Sequence, residues 1–108
     1  METTIYDVGV FTRDRNKALA LIDDMYDEYK YMKPNYHKED TVITLWIEEN
    51  NQAVRVSWVS PVRTVLNYQC DEIYIDKRIK KEPDGVKIID EVLLPKCINL
   101  DDEHVVFW

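Results

Sequence analysis

Glycine is nearly absent from this chain: Gly9 and Gly85 are the only two in 108 residues. A phosphate-cradling GxxxxGK(S/T) loop and a GxGxxG dinucleotide fingerprint both need closely spaced glycines, so neither is present. Proline is sparse as well, at four residues, and long flexible linkers are excluded with it. Cys70 and Cys97 are the only cysteines. They form no CxxC pair, which leaves no zinc spacing and no disulfide framework, and reads as two free thiols in a reducing, cytoplasmic setting. The chain opens METTIY rather than with a secretory apolar segment. No hydrophobic run approaches the length of a membrane span. No GxSxG elbow surrounds Ser57 or Ser60, so esterase-type chemistry has no support.

Basic residues are in deficit, with 14 Lys and Arg against 21 Asp and Glu, for a net charge of −7. Domains that grip nucleic acid by neutralising phosphates present a basic face. The one basic run here, Lys77, Arg78, Lys80 and Lys81, sits beside Glu82 and Asp84. Direct nucleic-acid binding is therefore not expected. The acidic excess suits a protein partner with a basic surface.

What is present is ample apolar material. Hydrophobic residues make up 45% of the chain and aromatics 11%, enough for one folded domain spanning residues 1–108. Ile5 to Phe11 (IYDVGVF) reads as a strand buried on both faces. In the following segment Ala18, Leu21, Ile22, Met25, Tyr29 and Met32 recur at spacings of three and four. That is one face of a long helix, capped by Thr12 or Asp14 and closed by Pro34. Its outer side carries Asp23, Asp24, Asp27 and Glu28, with Lys17 and Lys30 placed for spaced pairs. Thr41 to Glu48 and Ala53 to Val59 predict a hairpin joined by the polar link Glu49–Gln52. Trp46 and Trp58 stand as a candidate pair across it. Pro61 to Asn67 suits a short helical turn, and Glu72 to Asp76 (EIYID) a strand ending in a carboxylate. Pro83 to Pro95 predicts a second main helix, and His104 to Trp108 a last strand. Strands separated by helices favour parallel pairing. The expected fold class is thus α/β: a single small domain with a mixed, mostly parallel sheet, a β-hairpin and two main helices.

Residues 63 to 77, RTVLNYQCDEIYIDK, carry a resemblance. Tyr68 and Asp71 before an apolar strand, then Ile73, Tyr74 and Ile75 closed by Asp76, resemble the Walker B segment of the phage terminase large-subunit motor and related P-loop ATPases. The order of elements over roughly residues 4 to 79 is similar too. The resemblance implies an ATPase-like core in which Asp76 would bind Mg²⁺. The chain departs from that pattern at three places: it has no phosphate-binding loop, Lys77 stands where a glutamate is expected, and Leu66 and Asn67 stand where an arginine-glycine pair is expected. Such a relative could not hydrolyse a nucleotide unaided.

No catalytic set emerges. His37 and His104 have no nucleophile beside them in sequence. Acidic neighbours Asp71 and Glu72 would raise the Cys70 thiol pKa rather than lower it. The leading expectation is a small acidic non-enzymatic binding protein without cofactor, a phage or mobile-element accessory factor. It would modulate or inhibit a larger, nucleic-acid-processing partner through Asp23, Asp24, Asp27, Glu28 and Tyr31. Tyr and Met, enriched at the end of the long helix, favour such contacts. Two alternatives remain open. One is a nucleotide- or Mg²⁺-dependent subunit using Asp76 as a metal ligand, completed by a partner. The other is a homo-oligomeric structural protein pairing through an edge strand such as residues 104–108.

Overall fold

The computed structural model describes residues 2–59 and 69–108. Its centre is β1 (Thr4–Phe11), whose last four residues are all buried. The reason is topological: β1 is flanked on both sides by parallel neighbours and faces packed side chains above and below.

Asp14 then caps α1 (Arg15–Tyr29) by accepting from the amides of Asn16 and Lys17. Ala18 and Ile22, both 0% exposed, form the inward stripe of α1, with Leu21, Met25 and Tyr26 beside them. A 3₁₀ turn (Lys30–Met32) and left-handed Lys33 end the helical segment one residue before Pro34.

Next come β2 (Asn35–Lys38), β3 (Val42–Glu49) and β4 (Gln52–Val59). The expected hairpin is β3–β4, and its connection is tighter than the four-residue link predicted. Glu49 pairs with Gln52, leaving Asn50 and Asn51 at φ 51° and 64°. Both values are positive, the conformation of a two-residue turn that Asn tolerates and whose twist matches the strands. The expected Trp46–Trp58 pair does not form. Trp58 lies opposite Ile43 and Trp46 opposite Arg55, an odd offset that sends the two indoles to opposite faces. β2 was not expected. Its four polar residues read as a loop, yet Tyr36 stacks at 5.1 Å on Tyr26 and its hydroxyl donates to Asp23 at 2.7 Å.

β5 (Glu72–Ile75) and β6 (Val105–Phe107) complete the sheet. The strand order is β2-β3-β4-β1-β5-β6. The first three strands are antiparallel neighbours, and the pairs β4–β1, β1–β5 and β5–β6 are parallel. The α/β class with a mixed sheet and hairpin is therefore the observed one.

Register divides the side chains into two cores. Rows Val10–Trp58–Ile43, Val8–Val56–Leu45 and Tyr6–Val54–Ile47 cross the sheet beneath α1. On the opposite face Phe11, Ile73 and Ile75 meet Ile79, Ile89 and Leu93. Those last three come from the segment between β5 and β6. A 3₁₀ turn (Lys77–Lys81) comes first, and the helix expected over Pro83 to Pro95 follows as a continuous helical run whose geometry changes along it: α2 (Gly85–Ile88), a π turn (Ile89–Leu93) and a 3₁₀ turn (Leu94–Lys96). Asp84 in a left-handed conformation sets its start, and Pro95 sits in the last turn. The helical turn expected at Pro61 to Asn67 lies outside the described residues.

Gly85 is required by close approach, since a Cβ there would overlap the carbonyl oxygen of Ile79. Both belong to backbone that cannot swing aside. Gly85→Ala is expected to cost about 2 kcal/mol or more, seen as a lower urea midpoint with an unchanged slope. A midpoint equal to that of the wild type would show that α2 can shift away from the preceding turn.

Candidate functional site

Two regions bring polar side chains together, at opposite ends of the parallel strands. The chain leaves β1 over one face toward β2 and leaves β5 over the other face toward β6. The crevice beyond the C-terminal ends of β1 and β5 is thus a topological switch point, where open α/β sheets commonly place a site.

Asp76 lies at that point and is 2% exposed. Thr12, the residue after β1, donates its hydroxyl to Asp76 Oδ2 at 2.7 Å and accepts from the Asp14 amide at 3.0 Å. Lys17, one turn into α1, places Nζ 2.9 Å from Oδ1. Arg78 supplies its backbone amide at 2.9 Å to Oδ1 and its guanidinium at 2.8 Å to Oδ2. The Lys17 ammonium also donates to the main-chain oxygen of Trp108 at 2.7 Å and sits 4.7 Å from that indole. Around this core Arg78 reaches Asp14 at 3.3 Å and Arg13 pairs with Glu82 at 2.8 Å. Three carboxylates here face three cations. Burial alone would push the Asp76 carboxyl up. Hydrogen bonds from Arg78, Lys17 and Thr12 outweigh it and hold the group well below the usual carboxylate range.

Sequence placed Asp76 as a Mg²⁺ ligand. In the structure both of its oxygens are taken by protein donors, so a cation could reach them only by displacing Lys17 or Arg78. Asp71 and Glu72 stand at the other end of β5, where Asp71 accepts from the Asp7 amide at 2.8 Å. Among the described residues no three His, Cys, Asp or Glu side chains are grouped to hold a metal ion. The segment after β1, opposite Asp76 where a phosphate-binding loop would stand, is TRDRNK without glycine.

The other expected site residues lie along α1. Asp23 turns to β2, where it accepts from Tyr36 and pairs with Lys38 at 3.3 Å. Asp24, Asp27 and Glu28 are exposed, with no hydrogen bond or ion pair among the described residues. The spaced pairs expected from Lys17 do not form, because that ammonium is committed to Asp76 and Trp108. Asp24 and Glu28 are four residues apart on one helix and repel, a cost of a few tenths of a kcal/mol. Tyr31 projects from the 3₁₀ turn with 76% of its surface exposed.

Beneath that end of α1 the sheet face is open. Two adjoining clefts, of about 260 and 230 Å³, share Tyr29, Ile47 and Val54 in their walls. The larger extends to Met25, Tyr6 and Tyr74, and the smaller to Tyr31 and Met32. Glu28 and Glu72 border one, and Glu49 the other, and among the described residues no basic side chain lines either. The Tyr6 hydroxyl donates to Glu72 at 3.2 Å. Burial, and then the charge of Glu72, push Tyr6 up to about 12 and Tyr74 in the same direction.

The remaining candidates are ordinary. His37 pairs with Glu39 and His104 with Asp101, the latter raised above its usual value chiefly by that hydrogen bond. Cys70 and Cys97 are both buried and are bridge partners beside β5. Burial, then the neighbouring Cys97, pushes the Cys70 thiol up to about 12, the direction expected from its surroundings. In the basic run, Arg78 is engaged with Asp76 and Lys80 covers the Phe107 ring at 3.8 Å.

Sequence reasoning missed Thr12, Lys17, Arg78 and Trp108 as companions of Asp76, and Tyr6, Glu49 and Glu72 as cleft residues. The cap signal at Thr12 and Asp14 was the one local hint. Compared with protein families, curated proteins and solved structures, the chain matches none. No helix among the described residues is long and apolar enough to cross a membrane.

Asp76→Asn leaves two cations facing a neutral amide and is expected to cost roughly 2–4 kcal/mol at neutral pH. The folded-state pKa of Asp76 lies below its unfolded value of about 3.9. Its stabilisation is therefore complete above that pH and is lost as pH falls below it. Urea unfolding of both proteins at a series of pH values checks this: the difference between them should shrink as the acid range is entered. A difference independent of pH would place the effect in packing rather than charge.

Proposed function

We propose that the chain is a non-catalytic binding protein, a small accessory factor of the kind phages and mobile elements encode. In this reading it acts in the cytoplasm, where it engages a basic surface of a larger, nucleic-acid-processing protein and modulates or inhibits it. The observation that carries the reading is the flank of α1. Asp24, Asp27 and Glu28 are exposed and unpaired among the described residues, next to the exposed ring of Tyr31. Helices ordinarily relieve such repulsion with intervening cations. Acidic side chains left uncompensated on one face create a field that steers a basic partner and fixes its orientation. Asp23, held by Tyr36 and Lys38, acts here by keeping the flank aligned rather than by contact.

The test is co-purification from the source cells at low and high ionic strength. A stoichiometric partner is expected at low salt, lost at high salt, and lost at both with Asp24→Lys, Asp27→Lys and Glu28→Lys combined. Exposed charge pairs contribute about 0.2–1 kcal/mol each before reversal adds repulsion. The triple reversal should therefore weaken binding by at least about tenfold. Undiminished capture by that variant would remove α1 as the contact face.

A further inference from the structure

We propose that the paired clefts beneath the C-terminal end of α1 receive a basic amphipathic segment of a protein partner. Its apolar side chains would enter the two clefts, and its Lys or Arg side chains would reach Glu28, Glu49 and Glu72. The inference rests on the binding-protein reading and adds the chemistry of what is bound.

Size comes first. Cofactor and drug-sized ligands need about 300–1,000 Å³ of concave space that encloses most of their surface. Each cleft falls short of that, at about 260 and 230 Å³, and two such separate hollows on either side of a shared wall of Tyr29, Ile47 and Val54 instead match a few side chains spaced along a peptide. The lining is the second argument. Tyr29 and Tyr31 are exposed large rings, and Met25 and Met32 are adaptable apolar surfaces suited to contact with another chain.

Charge decides the identity of the occupant. Three carboxylates border the clefts, and among the described residues no Lys, Arg or His lines them. Glu72 lines the larger cleft and accepts from the Tyr6 hydroxyl at 3.2 Å. This potential rejects nucleic acid and anionic lipid, and attracts a cationic chain. Exposed tyrosine faces add a cation–π contribution for the same Lys or Arg groups. An amphipathic helix presenting apolar anchors one turn apart, with cations beside them, satisfies both features at once.

Methyl and amide NMR titration at about 0.15 M ionic strength provides the test. The probes are a synthetic Leu/Lys amphipathic peptide of about four helical turns, a scramble of the same composition, and a Leu/Glu counterpart. The Leu/Lys peptide should shift Met25, Ile47 and Val54 resonances. The scramble should bind about tenfold more weakly, and the Leu/Glu peptide should not bind. Tyr29→Ser with Tyr31→Ser, at positions exposed enough to leave the fold intact by circular dichroism, should weaken binding about tenfold. Asp24→Lys with Asp27→Lys should change it less than about threefold. Shifts confined to the α1 flank, with binding lost only in the Asp24/Asp27 variant, would overturn the cleft proposal while leaving the flank reading standing. Equal binding of peptide and scramble, or no binding, overturns it as well. Cleft shifts that depend on protein concentration without peptide would identify a second copy as the occupant and overturn it too.

Discussion

A single buried carboxylate joins the parts of this molecule that its chain order keeps apart. Asp76 directly follows β5, yet its partners are Thr12 after β1, Lys17 in α1 and Arg78 in the following turn. Through Lys17 the main-chain oxygen of Trp108, 91 residues away, is tied to the same point. Taking an ion out of water costs several kcal/mol, which attraction recovers only when geometry and hydrogen bonding are both satisfied. Here both oxygens are saturated, so the cluster approaches break-even as a whole and is costly to break in part. The two cores lie on opposite faces, and this cluster sits where both meet the end of the sheet. The position of α1 over one face and of the Lys77–Lys96 segment over the other is set from a common anchor.

The same arrangement sorts the charges. At the Asp76 end three cations and three carboxylates neutralise one another, and elsewhere Arg55 holds Asp7 and Lys38 holds Asp23. The cations committed to these pairs are not available to α1 or the clefts. Among the described residues Asp24, Asp27, Glu28, Glu49 and Glu72 form no ion pair, in a chain of net charge −7. A switch point is the usual place to look for ligand chemistry in such a sheet, and in this protein it is closed by its own side chains. The open, unbalanced surface lies at the other end of the strands.

How much of this was legible depends on the range of the interaction. β1, α1, β3, β4, β5 and β6 were visible because periodicity and caps are local signals. β2 was not, because an edge strand of four residues with one inward anchor, Tyr36, has no period to show. The second helix read as a regular α-helix because Val86, Ile89, Val92 and Leu93 keep helical spacing. Two single-residue constraints, at Asp84 and Pro95, set its ends differently. The acidic flank could be read directly, since four acids within six positions of one helix need no partner to be seen. The Asp76 cluster could not. Thr12 and Lys17 meet it across 64 and 59 residues, and the residues read as a basic run and a helix cap changed meaning once placed beside it. A strand ending in Asp resembled an ATPase segment, but chemistry at such a position is decided by what stands opposite.

The clefts themselves follow from layer geometry. An α-helix with its side chains is about 10–12 Å across, while neighbouring strands lie about 4.8 Å apart. One helix therefore covers between two and three strands, and a six-stranded face needs two helices to be closed. Among the described residues, α1 is the only helix on its face, and its buried contacts fall on β1, β3 and β4. Toward β5 and β6 the same face carries aromatics, Tyr74 meeting Trp108 edge-on at 6.2 Å under Lys17. At the opposite end α1 stops at Tyr29, and the row Tyr6–Val54–Ile47 is left partly open below it. Among the described residues the exposed apolar surface thus follows from having one helix where two would fit, not from a poorly packed core: Val8, Val56 and Leu45 in the adjacent row are buried. A second amphipathic helix, supplied by another chain, is the element whose dimensions match the uncovered part of that layer.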